Sequence, residues 1–207
     1  RKEAVTEAPA ASISDAATTA DSTPADASEE GSDAQTVYPV TVTDQAGREV
    51  TIEKEPESIV SGYYISTSLL LALGLKDKVT GIEAKADKRP IYKLAAPEFL
   101  ELPNVGTAKE FDLETCASLS PELVILPMKL KDAAQSLSEL DIPVLLVNPE
   151  SEDQLEQMIE LVSTATNTKE NADALLSYID EKKEMLEKDL SGGDAESVYL
   201  AGNSSLL

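Results

Sequence analysis

The sequence predicts an α/β protein with a parallel sheet flanked by helices, followed by one long helix. Three observations support this fold class. Short runs of Val, Ile and Leu alternate along the chain with segments whose apolar residues recur at helical spacing. Several of the runs are continuously apolar, as expected of parallel strands covered on both faces. Residues 168–190 then keep a spacing close to helical throughout.

The predicted elements begin with a hairpin. Residues 38–52 alternate apolar and polar side chains around Gln45-Ala46-Gly47, which predicts two antiparallel strands and a turn. Beyond the hairpin, the predicted strands span residues 58–60, 78–82, 122–126 and 143–147. The predicted helices span residues 66–73, 112–119, 131–140 and 151–165. The last of these helices opens with the capping box Ser151-Glu152-Asp153-Gln154.

The two ends of the chain have different predicted roles. Residues 1–36 are nearly all Ala, Ser, Thr, Asp, Glu and Pro, and such a segment cannot offset its ordering entropy by burying apolar surface. We therefore expect a disordered tether there. The chain begins at Arg1 instead of Met, so we expect that an upstream export signal has been removed. Residues 197–201 have the pattern of a buried strand without a partner, which predicts the start of a second lobe.

Composition excludes several classes of function. The formal net charge is −22, with 39 acidic and 17 basic residues. This excess argues against nucleic-acid binding and against a polybasic contact with lipid. The chain has no His, which removes Ser-His-Asp and Cys-His catalysis, HExxH zinc sites and haem held by an axial His. Cys116 is the only cysteine and is predicted to be buried rather than nucleophilic. We expect no catalytic residue, no metal site and no cofactor.

Enzyme motifs are missing as well, but a structural role stays open. An α/β hydrolase or transferase would need a nucleophile elbow, a phosphate loop or a dinucleotide fingerprint. The segment Ser61-Gly62-Tyr63-Tyr64 lacks the second Gly of an elbow, and no Gly-x-Gly-x-x-Gly occurs. The chain is therefore predicted not to be an enzyme. The alternative function is a surface-tethered scaffold or adhesion module without small-ligand transport, which the tether and the long helix would tolerate.

A series of short motifs carries a family resemblance. In chain order, the motifs are VTDQAGREV at 42–50, EPESIV at 55–60, LALGL at 71–75, NVG at 104–106, DLE at 112–114, LSPELVI at 119–125 and IPV at 142–144. Together with the long helix, they resemble the helical-backbone solute-binding proteins, the class III periplasmic binding proteins of ABC importers. The resemblance covers about residues 38–207 and depends on the ordered series rather than on any single motif.

The resemblance implies a domain organisation and a function. Residues 37–167 would form the first of two α/β lobes, residues 168–190 the rigid interlobe helix, and residues 191–207 the start of a truncated second lobe. A monomer of this kind would be the substrate-binding component of an ABC importer. It would capture a ferric siderophore, haem or a corrinoid in the interlobe cleft and deliver it to the permease. It would be extracytoplasmic, either lipid-anchored through the tether to the outer face of the cell membrane or periplasmic.

Candidate ligand-binding residues lie in loops that follow the predicted strands, because ligands of parallel sheets gather at the carboxyl ends of the strands. Tyr63 and Tyr64 would line the cleft with their rings or give an oxygen to iron, unless one of them packs against the hairpin. Cationic side chains in other loops at this edge would converge on an anionic ligand, although loop lysines are commonly only solvated. These side chains are Lys85, Arg89, Lys109 and Lys129.

Glu114 is the candidate for docking to the permease. It lies in the DLE motif, where the resembled family carries the docking glutamate of the first lobe. There it would pair with a permease Arg in a charge-assisted contact. A local role is also consistent with its position, since Asp112 would cap the helix and Glu114 would favour the positive end of the helix.

Overall fold

The computed structural model describes residues 35–191, and the predicted tether up to residue 34 and the predicted strand at 197–201 lie outside this range. The strands β1 (Val40–Thr43) and β2 (Glu49–Ile52) form an antiparallel hairpin. A second sheet contains four parallel strands in the order β4-β3-β5-β6. Its strands are β3 (Ile59–Ser61), β4 (Val79–Gly81), β5 (Leu123–Pro127) and β6 (Val144–Val147).

Helices connect and cover the parallel strands, which confirms the predicted fold class. The α-helices of the described residues are α1 (Tyr64–Ala72), α2 (Pro90–Ala95), α3 (Leu113–Ser118), α4 (Lys131–Ser138), α5 (Glu152–Thr166) and α6 (Lys169–Leu190). None of them is long and apolar enough to cross a membrane. The sequence pattern predicted all of these helices except α2, which at six residues is too short to show a helical period.

The start of α1 differs from the prediction, which placed it at Ser66. The helix begins at Tyr64, because Thr67 N donates to the Tyr63 carbonyl oxygen at 3.0 Å and so closes the first turn two residues earlier. Ser66 Oγ also donates to the Tyr63 carbonyl oxygen at 2.8 Å. Tyr63 is consequently the extended residue before the helix, and Tyr64 lies in the first turn instead of in a loop.

The core lies on both faces of the parallel sheet. Alternate residues of a strand point to opposite faces, so Ile59 and Leu123 join one buried cluster while Val60 and Val124 join the other. The first cluster includes α1 and α5, with Leu70 and Val162 among its members, and the second includes α3 and α4 with Cys116, Ala134 and Leu137. All residues of β5 and β6 are buried. The predicted burial of Cys116 is confirmed, and burial raises the pKa of its thiol to about 12.

The turn of the hairpin covers the edge of β6. Gln45 N donates to the Leu146 carbonyl oxygen at 3.1 Å, and Leu146 N donates to Asp44 Oδ2 at the same distance. Arg48 Nη2 donates to Asp44 Oδ2 at 2.7 Å and to the Val144 carbonyl oxygen at 2.8 Å. The hairpin therefore satisfies part of a strand edge that would otherwise be free to pair with another chain.

The helix α6 is fixed at its start by two asparagines. Asn167 has a left-handed backbone (φ 56°) at the corner between α5 and α6 and donates from Nδ2 to Glu55 Oε2 at 3.0 Å. It also accepts a bond from Thr36 N at 2.8 Å, so this part of the predicted tether contacts the folded lobe. Asn171 Nδ2 donates to the Leu73 carbonyl oxygen at 2.7 Å. These contacts set the direction in which the helix leaves the lobe.

Candidate functional site

The candidate site lies at the edge where the parallel strands end. Since β3, β4, β5 and β6 run in the same direction, the residues that follow them meet at one edge of the sheet. Tyr63 follows β3, Glu83 and Arg89 follow β4, Lys129 follows β5 and Glu150 follows β6. Residues from four separate loops thus lie at one edge of the sheet.

An arginine stacked on a tyrosine forms the centre of the candidate site. The Arg89 guanidinium carbon lies 4.0 Å from the centroid of the Tyr64 ring, well within the range of a cation–π contact. The Tyr63 ring meets the Tyr64 ring edge to face, with 5.2 Å between the centroids. Tyr64 is 41% exposed and Arg89 is partly exposed. Among residues 35–191, no carboxylate forms an ion pair with Arg89, so its donors are available to an anion.

The structure brings together three of the predicted ligand residues, Tyr63, Tyr64 and Arg89. Lys85 is exposed with a left-handed backbone (φ 68°), and Lys109 and Lys129 are exposed in their own loops. Within the described part of the chain, none of these three ammonium groups has an ion-pair partner or contacts the tyrosines. Their joint action on one ligand stays a prediction.

Close packing places the loop of Lys109 beside the start of α1. A Cβ on Gly62 would lie 2.6 Å from Leu126 Cδ2 and 3.4 Å from Phe111 Cε2, so a larger residue here would have to displace the Leu126 side chain. Gly62 N also donates to the Ile125 carbonyl oxygen at 2.9 Å. Phe111, at the end of the loop that carries Lys109, therefore lies next to the turn that carries Tyr63.

The Tyr63 phenol is held in its protonated form. Burial raises its pKa above the usual value, and the neighbouring Tyr64 and the Glu150 carboxylate act in the same direction. A phenol binds iron as the phenolate. Ring contact with a ligand and direct iron ligation by Tyr63 both stay predictions.

A buried polar network lies beneath the tyrosines and was not predicted from the sequence. Glu83 is 6% exposed and accepts hydrogen bonds from Thr67 Oγ1 at 2.7 Å and from Tyr92 Oη at 2.6 Å. Thr67 Oγ1 also lies 2.8 Å from Ser61 Oγ, which lies 2.7 Å from Ser66 Oγ. The sequence signal for Glu83 is limited to its position directly after β4 and Ile82, because a Glu at the end of a strand is usually exposed.

Glu114 lies apart from this network, in the first turn of α3, and its side chain is exposed. Asp112 is the helix cap that the sequence predicted, accepting from Thr115 N at 2.8 Å. This bond, together with that from the Thr115 hydroxyl, lowers the pKa of Asp112. Within residues 35–191 the Glu114 carboxylate has no hydrogen bond or ion pair with another side chain. It is accessible to a partner, and docking stays a prediction.

The chain was compared with known proteins and structures. A protein of Bacillus subtilis (strain 168), named as the uncharacterized ABC transporter substrate-binding lipoprotein YvrC, is 33% identical over 176 residues, which are 79% of this chain and 52% of YvrC. The Haemophilus influenzae molybdate periplasmic binding protein MolA, bound to molybdate, has a TM-score of 0.67 at 21% identity, covering 73% of this chain and 54% of MolA. Staphylococcus aureus SirA complexed with staphyloferrin B has a TM-score of 0.63 at 20% identity, covering 74% and 51%.

These relatives are longer than the chain, which spans about half the length of each of them. The structural neighbours share its fold, with the parallel sheet flanked by helices and the long helix. The family model described as periplasmic binding protein matches residues 59–206, which include the candidate site, α3 and α6. This is a family of binding proteins rather than of enzymes, and the family resemblance seen in the motifs is confirmed. The chain belongs to the periplasmic binding protein family.

Proposed function

We propose that this chain forms a ligand-binding lobe of the substrate-binding component of an ABC importer. Two findings support the proposal: the family match over residues 59–206 and the naming of YvrC as an ABC transporter substrate-binding lipoprotein. In this proposal, residues 37–167 are the lobe and α6 connects it to a partner lobe. The protein acts outside the cytoplasm, anchored by lipid, as the name of the relative supports.

The ligand that we propose is a bulky anionic iron complex, a ferric siderophore or haem, with a corrinoid as the third candidate. The stack of Arg89 on Tyr64 is the observation that carries this choice. The guanidinium supplies charge and directional donors, and the adjoining rings of Tyr63 and Tyr64 supply broad surface for a large ligand. SirA, whose ligand is staphyloferrin B, shares the fold.

A small oxyanion is the competing ligand, since MolA binds molybdate on the same fold. Such an ion needs several donors within about 3 Å of its oxygens. The described surface instead offers one guanidinium beside two aromatic rings. This difference favours the larger ligand.

Delivery to the permease is proposed to use Glu114. Its carboxylate is exposed on the first turn of α3 and has no side-chain partner within residues 35–191. A free and accessible charge of this kind is suited to pair with a permease Arg, which would set the register of docking. The cap of α3 does not depend on it, because Asp112 supplies the capping oxygen.

Titration of the chain with a panel of ligands tests the proposal. The panel consists of hemin, ferric tris-catecholate, ferric citrate, cyanocobalamin and molybdate. Binding is followed by tyrosine fluorescence, since the chain has six Tyr and no Trp, and is checked by equilibrium dialysis. We expect at least one iron complex or the corrinoid to bind and molybdate not to bind.

The variant Arg89→Ala links binding to the proposed surface. A hydrogen bond to a charged group contributes about 1.5–3 kcal/mol, so affinity for an anionic iron complex should fall about 10- to 100-fold. Lys93→Ala is the matched control, because Lys93 is exposed on α2, four residues after Arg89, and carries the same charge. Equal binding by wild type and Arg89→Ala would reject this surface, and selective molybdate binding would replace the proposed ligand class.

A further inference from the structure

We infer that Glu83 is a positioning residue that holds Arg89 against Tyr64 through Tyr92 and Thr67. The inference rests on the proposed function, because it assigns a role to a residue behind the proposed ligand surface. Glu83 itself is 6% exposed and does not reach that surface.

The first support is that Glu83 joins the two helices that carry the stacked pair. Its Oε2 accepts from Thr67 Oγ1 at 2.7 Å, and Thr67 lies in the first turn of α1, three residues after Tyr64. Its Oε1 accepts from Tyr92 Oη at 2.6 Å, and Tyr92 lies one turn after Arg89, the residue that precedes α2. One carboxylate thus fixes the distance between the start of α1 and the start of α2.

The Tyr92 hydroxyl also lies close to the backbone of Tyr64. Tyr92 Oη also lies 3.4 Å from the Tyr64 carbonyl oxygen. The Tyr92 hydroxyl is therefore placed between Glu83 and the backbone of the residue on which Arg89 stacks. A shift of Tyr92 would move α2 relative to the Tyr64 ring.

The second support is that α2 has few other attachments to the lobe. The helix has six residues, and its Ile91 and Leu94 side chains are 50% and 83% exposed. Its buried residue is Tyr92, whose ring packs edge to face on Phe99 with 5.9 Å between centroids. A six-residue helix has little stability of its own, so the position of Arg89 depends on how Tyr92 is held.

The third support is the chemistry of the network. Within residues 35–191, Glu83 has no cationic partner and is satisfied by two hydroxyl groups. Burying a carboxylate without a counter-ion is costly, and an apolar side chain would fill the same space at lower cost. The two carboxyl oxygens of Glu83 align two hydroxyl donors, which an apolar side chain of the same size could not do.

The Arg89 side chain provides a readout that needs no ligand. The ring current of Tyr64 should shift the NMR resonance of the Arg89 Nε–H group in the 207-residue chain. Arg89→Lys removes this resonance and so identifies it. Tyr64→Leu gives its position without the neighbouring ring. We expect Tyr92→Phe and, independently, Thr67→Val to move this resonance most of the way to its position in Tyr64→Leu. Tyr178→Phe is the control, because Tyr178 is 58% exposed on α6. An unchanged Arg89 resonance in both Tyr92→Phe and Thr67→Val overturns the inference.

A double-mutant cycle then connects positioning to binding, with ferric tris-catecholate as the probe. Tyr92→Phe should weaken binding about three- to tenfold when Arg89 is present and should have no further effect in the Arg89→Ala background. Equal losses in both backgrounds, or no loss with Arg89 present, would show that Tyr92 does not act through Arg89. Failure of wild type to bind the panel, or normal binding by Arg89→Ala, contradicts the proposed function instead, and the NMR result still decides whether Glu83 positions the pair.

Discussion

Replacement of Asp44 by alanine should destabilise the lobe more than any exposed charge on the same hairpin. The Asp44 side chain is fully buried and its Oδ2 accepts from Arg48 Nε at 2.9 Å, Arg48 Nη2 at 2.7 Å and Leu146 N at 3.1 Å. Its Oδ1 accepts from Ala46 N and Arg48 N, both at 2.9 Å. Asp44→Ala removes all of these acceptors at once.

The expected loss can be worked out from these contacts. The buried Leu146 N–H would lose its acceptor, at a cost of about 1–3 kcal/mol. Breaking a fully buried ion pair costs about 3–5 kcal/mol, but the Arg48 side chain is 29% exposed and keeps its bond to the Val144 carbonyl oxygen. The Arg48 charge can therefore reach water, so the expected loss of stability lies near the lower end of the range for buried ion pairs. We expect the free energy of unfolding to fall by about 3 kcal/mol.

Urea unfolding followed by circular dichroism measures this difference. Glu49→Ala is the control, because Glu49 is exposed on the neighbouring strand and should change stability by no more than about 0.5 kcal/mol. An equal slope of the transition for the variants would show that the change lies in stability and not in compactness. A loss below about 1 kcal/mol for Asp44→Ala would refute the role given to the hairpin turn at the edge of β6.

Three further predictions concern single side chains. Glu114→Ala should leave ligand binding and melting almost unchanged but reduce uptake through the matching permease, and normal uptake at normal expression would end the docking proposal. Burial, aided by the Glu55 carboxylate, raises the pKa of the Tyr38 phenol from 10.0 to about 12. Between these pH values the phenol keeps its proton in the folded chain and loses it on unfolding, so the free energy of unfolding should fall from pH 10 to pH 12. The fall should be less steep in Tyr38→Phe. Cys116, with a pKa of about 12 and no exposure, should resist thiol reagents at pH 8 until urea unfolds the chain.

The pattern of apolar residues in the sequence was sufficient to predict the strands of the parallel sheet and the long helices. Val144–Val147 is buried on both faces and lacks polar alternation, which is the pattern of a central or covered parallel strand. Ser151 caps α5 through a bond from Gln154 N at 3.3 Å, as the capping box predicts. The Gln154 side chain accepts from Glu150 N instead of from Ser151 N, which a sequence pattern cannot distinguish.

The candidate site was only partly predictable, because its members are defined by contacts between separate loops. The position of Tyr63 and Tyr64 after β3 pointed to the site, since residues after parallel strands share an edge. The stacking of Arg89 on Tyr64 depends on α2, whose six residues carry no visible period. Lys109 and Lys129 are exposed and form no cation–π contact within residues 35–191, so neither the sequence nor the packing indicates which of them would contact a ligand.

The way in which α6 is supported has a geometric consequence for whatever follows it. Lys183 forms an ion pair with Glu152 at the beginning of α5. The helix α5 therefore packs alongside α6 from Lys169 to about Lys183. That supported span is about 21 Å long, and the remaining residues to Leu190 project about 10 Å further. If α6 pivoted at Lys169 so that Lys183 moved sideways by about 1 Å, Leu190 would move by only about 0.5 Å more, because the projecting part is half as long as the packed part. The part of α6 that packs on α5 therefore largely fixes the position and direction of residues 184–190. The segment that follows α6 starts from that position.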